Sequence, residues 1–148
     1  MKPDVTLVLA DLAGRLAMEI APQVQPAYLA GSLALTAGVL GATAEEFDRA
    51  AAWRIEENAA IRGLFSQAVG LGLPADLAAR LQRLAGTPET NFRVSALDVA
   101  NAELRAALIE LHAAVEVIAE PAAAALNEAI WKELALSTER RRLGSANF

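Results

Sequence analysis

From Val94 to Ile118, apolar side chains return at intervals of three and four: Val94, Leu97, Leu104, Leu108, Leu111, Val115 and Ile118, with Asn101 in the one vacant place. A strand, whose side chains alternate, cannot put that set on one face, whereas a helix of 3.6 residues per turn does. The spacing is that of a seam packing against other helices. Hydrophobic residues make up 55% of the 148, but aromatics only 5%, so the apolar mass is Ala, Leu, Val and Ile. Ala and Leu favour helix, and the length suits one domain with a real core. No alternating pattern suggests a strand, and no Gly, Ser or Pro linker divides the chain. The prediction is all-α: a single-domain antiparallel helical bundle over residues 1–148, of five to six helices, two or three of them long.

Proline and glycine place the boundaries. A first helix is expected from Asp4 to Ala21, with Val5, Leu9, Leu12, Leu16 and Ile20 on one face, ended by Pro22 and Pro26. A second spans Ala27 to Leu40, with a smooth strip of Ala30, Ala34, Ala37 and Gly41, and Gly41 as its stop. Thr43 and Glu46 have the spacing of a capping box and would open a third helix, running to Val69 before "GLGLP". A short fourth is expected over Ala75–Ala85, with Leu77, Leu81 and Leu84 inward and Gly86 at its end. The seam helix starts at Thr87-Pro88, or restarts at Ser95, and a last helix runs from Pro121 to Arg141. Residues 142–148 read as a polar tail prone to fraying.

Between Ile20 and Ala44 there is no charge at all. The run is long enough to raise the question of a membrane span, which needs about 20 mostly apolar residues. Pro22, Gln23, Gln25 and Pro26 break its first part, and Gly31, Ser32, Thr36, Gly38, Gly41 and Thr43 dilute the rest. No basic residues flank it to set an orientation. The expectation is a buried core helix and no membrane. The N-terminal stretch carries Asp4 and Asp11 among its apolar residues, which suits an amphipathic helix better than a signal peptide.

The formal charge of −5 argues against nucleic acid as a partner. The one basic cluster, Arg140, Arg141 and Arg142, stands where a helix C-terminus favours cations. Without cysteine there is no disulfide, thiolate chemistry or Cys-based metal site, which fits a reducing cytoplasm. His112 is the only histidine. Its neighbour Glu110 lacks the Glu-x-x-His spacing of di-metal bundles, so no metal and no other cofactor is expected. His112 is expected to pair with Glu116, four residues on, and it also stands as a candidate proton carrier or ligand contact.

Two stretches resemble each other: "ENAAIRGLF" from Glu57 and "ANAELRAAL" from Ala100. Each puts an asparagine on a predicted helix face and an arginine one turn on, Asn58 with Arg62 and Asn101 with Arg105. "TAEEF" and "TPETNF" precede them, which allows a weak internal duplication. Three readings stand open. The pairs are surface contacts within a helix; or the amides are buried and set helix register; or Asn58, Arg62, Asn101 and Arg105 line one cavity for an anionic ligand, since the arginine fork suits carboxylate and phosphate. Trp53 and Trp131 are expected in the core or at an interface.

No set of acid, base and nucleophile can be assembled, and no phosphate loop or nucleophile elbow occurs. The expectation is therefore a non-catalytic cytoplasmic protein acting through self-association as a homodimer, or through a protein partner. The alternative is an internal-pocket bundle for a small anionic molecule.

Overall fold

The computed structural model describes residues 4–144. Among these it is helical throughout with no strand: α1 (Val5–Arg15), α2 (Ala27–Gln67), α3 (Ala75–Ala85), α4 (Val94–Val115) and α5 (Pro121–Arg141). One of them, α2, is long, at 41 residues. The chain forms two compact units: Met1–Ala50 with Arg142–Phe148, and Ala51–Arg141. The far end of the predicted frayed tail, residues 145–148, lies outside the described residues.

Asp4 caps α1. Its carboxylate accepts from the Thr6 and Leu7 backbone N–H groups and from the Thr6 hydroxyl, and these bonds hold its pKa below the ordinary aspartate value. After Arg15 the helix widens into a π-turn over Leu16–Ile20, followed by a 3-10 turn over Ala21–Gln23, where Pro22 ends it.

Two of the predicted helices are one. Gly41 does not stop α2, because its backbone stays helical and the surrounding alanines favour continuation. Thr43 does not cap either. Its hydroxyl donates to the Val39 carbonyl one turn back at 2.8 Å, as Thr36 does to Ser32 at 2.9 Å. Inside an unbroken helix the N–H groups of the following turn already bond to backbone carbonyls, so Thr43 has none to cap.

The break after α2 falls where predicted. Gly70 (φ 89°) and Gly72 (φ 66°) adopt left-handed backbone, which any side chain would strain. Helix α3 matches its expected span and buries Leu77, Leu81 and Leu84. Thr87-Pro88 opens no helix: the Thr87 hydroxyl donates back to the Arg83 carbonyl at 2.8 Å, and α4 begins at Val94, next to the alternative start at Ser95.

The second unit holds the core. Ile61, Phe65, Leu81, Leu104, Leu111 and Ile130 are almost wholly buried, and α4 packs against both α3 and α5. Every seam residue of α4 from Leu97 to Val115 is buried, while Val94 is exposed at the first turn.

The first unit is built differently. Among the described residues its buried apolar side chains are Ala21, Ala37, Ala44 and Ala50, with no larger one among them. The uncharged part of α2 does have the length and hydropathy of a membrane span, yet only 11% of that window is buried. The expectation of a buried core helix is therefore corrected. One face is covered, with Ala37 and Ala44 buried and Leu33 and Leu40 half-buried, while Tyr28, Leu35 and Val39 face outward.

Candidate functional site

Two features stand out, one in each unit. In the second unit a polar cluster lies inside the apolar core. Asn58 of α2 and Asn101 of α4 face each other, with Asn101 Nδ2 donating to Asn58 Oδ1 at 2.9 Å; Asn58 is fully buried and Asn101 7% exposed. Both came from core positions of their helices, so the seam spacing that placed Asn101 among leucines also placed its partner.

Immediately before Asn58 in α2, Glu57 is 2% exposed and joins three helices. Its Oε1 accepts from Arg105 of α4 at 2.6 Å and from the Ser137 hydroxyl of α5 at 3.0 Å, and its Oε2 accepts from Arg141 of α5 at 2.5 Å. A carboxylate this deep is tolerable only when its charge is matched and both oxygens are engaged. Beside it, Arg140 binds Glu133 at 2.5 and 3.2 Å and lies 3.5 Å from Glu56. The Glu133 hydrogen bond outweighs the cost of burial and, with the charges of Glu133, Glu56 and Glu57, holds Arg140 more firmly protonated than an ordinary arginine. The guanidinium of Arg54 lies 4.0 Å from the centre of the Trp53 ring and that of Arg141 4.8 Å, both in the range of cation–π attraction. Among the described residues, the buried donors Trp53 Nε1, Asn58 Nδ2 and Arg141 Nε make no hydrogen bond.

The arginines correct two expectations. Neither pairs with the asparagine of its own helix. Arg62 donates to the Leu84 carbonyl at 3.2 Å and to Glu89 at 2.6 Å, while Arg105 goes to Glu57. Nor do they share a cavity: Arg62 borders one of about 190 Å³ beside Thr87–Asn91, and Arg105 a smaller one of about 70 Å³ with His112 and Ile130. A guanidinium sits at the end of a long flexible stem, so it finds the nearest carboxylate on another element rather than the amide one turn away. Arg54 behaves alike, reaching Asp98 of α4 at 2.5 Å.

His112 Nε2 lies 2.8 Å from Asn127 Oδ1, closer than Glu116 at 3.6 Å, and the ring packs edge-on against Trp131 with centroids 5.0 Å apart. Trp131, expected in the core or at an interface, is 54% exposed in the single chain and covers His112. Among the described residues no group of three His, Asp or Glu side chains comes together as a metal site. Glu57, Ser137, Glu133 and Arg141 were missed as site residues. For Glu57 a signal existed, since it stands four residues before Ile61 and shares the face of Ile61 and Phe65.

Substituting one asparagine should expose the pairing. Asn58→Leu leaves the Asn101 amide buried without its acceptor, at a cost of about 2 kcal/mol, and adding Asn101→Leu should return most of that loss. Urea melts of the single and double variants measure the coupling; strictly additive losses would show that the two amides are independent.

Glu89 supplies a pH dependence. Burial pushes its carboxyl up, but hydrogen bonds from Arg62 and its own backbone, with the Asn58 amide acting from outside normal hydrogen-bond geometry, prevail together with the Arg62 charge. Its pKa in the fold is thus below the ordinary glutamate value. The stabilisation is present above that ordinary value and is lost as pH falls through the depressed one. Glu89→Gln should flatten the acid limb of a plot of urea midpoint against pH; equal slopes in the two proteins would contradict the assignment.

The second feature is the outer surface of the first unit. Leu7 (69%), Met18 (80%), Tyr28 (73%), Leu35 (67%), Val39 (63%) and Phe47 (58%) are exposed there. Singly exposed apolar residues are common; here they are many, on a unit whose fully buried apolar side chains among the described residues are all alanines. Compared with known protein families, with curated proteins and with solved structures, the chain matches none.

Proposed function

We propose that this protein is non-catalytic and acts through association, with the first unit as the contact surface and self-association into a homodimer as the primary mode. The observation that carries this reading is the contrast between the units: one closes around a core of large side chains, while in the other the fully buried apolar side chains among the described residues are Ala21, Ala37, Ala44 and Ala50, and larger ones such as Leu33 and Leu40 are at most half-buried. An assembly would supply the burial that the single chain lacks. In the same reading the second unit is an antiparallel bundle whose asparagine pair and Glu57 cluster set helix register. The absence of cysteine suits a cytoplasmic setting.

The anionic-ligand reading has less support. Arg62 and Arg105 each already hold a carboxylate, and a ligand would have to displace Glu89 or Glu57 to reach them.

Light scattering coupled to size-exclusion chromatography tests the proposal. The full chain at tens of micromolar should elute with about twice the 15.5 kDa mass of one copy. A monodisperse monomer at that concentration would overturn it.

A further inference from the structure

The exposed surface of α2 has an internal order that specifies its partner. Tyr28, Ser32, Leu35, Thr36, Val39 and Thr43 are all exposed. At 100° per residue they form one stripe about 100° wide. It extends about 22 Å along the helix. Its spacing of three and four is that of helix-to-helix packing.

The order of sizes along the stripe is the informative part. A two-fold axis through its midpoint, between Leu35 and Thr36, brings a second antiparallel copy into register with the first. Tyr28 then meets Thr43 and Ser32 meets Val39, while Leu35 and Thr36, on opposite flanks next to the axis, each meet their own symmetry mates. In both layers away from the axis a large side chain faces a small one. A two-fold interface must be self-complementary in this sense, since the same patch supplies both knobs and holes.

Charge permits the same arrangement. Nothing from Ile20 to Ala44 is charged, so two copies of a chain with net charge −5 can meet here without like charges opposing each other. Antiparallel helix dipoles also align favourably. A lipid surface would accept the apolarity of this segment but would not require small residues opposite large ones. It would also leave no reason for the polar hydroxyls of Ser32, Thr36 and Thr43 on the apolar stripe; those of Thr36 and Thr43 are satisfied within the helix, so they can enter a dry contact.

We infer that the protein forms a two-fold dimer in which the segment Tyr28–Thr43 of α2 packs antiparallel against the same segment of a second copy, with the axis between Leu35 and Thr36. The inference rests on the self-association reading above and specifies the surface and its orientation.

The chain has no cysteine, so single cysteines can be introduced without background. All the positions are exposed, so the folded chain should tolerate them, and far-UV circular dichroism checks this. Under mild oxidation Leu35→Cys and Thr36→Cys, next to the axis, should each link to their own copies. Tyr28→Cys and Thr43→Cys should not do so alone, because each lies far from its own symmetry mate. An equimolar mixture of Tyr28→Cys and Thr43→Cys chains should give the mixed dimer in at least tenfold higher yield than either alone. Ser32→Cys mixed with Val39→Cys provides an independent second pair. Self-linking at Tyr28 and at Thr43 would mean a parallel pair and would overturn the inference while leaving self-association standing. A dimer by light scattering with no link at any of these positions would also overturn it, placing the contact elsewhere. A monomer would overturn both, as would a monomer that floats with neutral phosphatidylcholine vesicles.

Discussion

Glu57→Ala should destabilise the second unit by about 3 kcal/mol, among the largest single effects in the protein. The carboxylate is 3% exposed in its side chain, and it holds Arg105, Arg141 and Ser137 from two other helices. Removing it leaves two cations facing a site closed to water. The arginine side chains are about a third exposed and can turn outward, which puts the loss at the lower end of the range for broken buried pairs. Glu57→Gln keeps the shape and one acceptor and should lose about half as much. Trp53 and Trp131 both belong to the second unit, so tryptophan fluorescence during urea unfolding reports on that unit specifically. Trp53 lies against Arg141, so its emission should also shift in the folded variant. A loss below about 1 kcal/mol would mean the cluster contributes specificity and little stability.

Leu35→Glu should abolish the dimer. At the proposed axis it would place two carboxylates against each other in a contact without a single compensating cation. Burying unpaired charge is costly enough that association should fall more than 100-fold, or at least about 3 kcal/mol. Leu35 is 67% exposed in the single chain, so the fold itself should be unaffected and circular dichroism should not change. Sedimentation velocity over a concentration series reads the dissociation. A Leu35→Glu protein that remains dimeric would put the interface on another face.

Much of the fold could be read from the chain because strong local signals punctuate it. Pro74 and Gly86 bracket α3, Pro121 opens α5, and the glycines of "GLGLP" end α2, each through backbone geometry that needs no tertiary context. The Gly41 stop failed for the opposite reason. Glycine permits a left-handed exit without compelling one, and Thr43 spent its hydroxyl on the turn behind it. Hydropathy likewise suggested that the uncharged part of α2 would be buried. Hydropathy records a preference for leaving water, and says nothing about which molecule provides the cover.

The site shows the same division. The asparagine contact was accessible to periodicity, since Asn101 stands between Leu97 and Leu104, and Asn58 three residues from both Ile55 and Ile61. Their arginines were not. Arg62 and Arg105 point along helix faces that the sequence places correctly, but the choice between the amide on the same helix and a carboxylate on another depends on which helices pack together. Arg141, read as a helix-end cation, became a partner of a residue 84 positions earlier.

By itself, then, the sequence determined an all-helical chain, the seam of α4 and the polar residues set into it, because helix periodicity is local and the chain carries it residue by residue. Only the tertiary structure decided the partners of the charged side chains and which apolar faces stayed uncovered. Both depend on contacts between segments far apart in the chain, and burial is a property of neighbours rather than of residues.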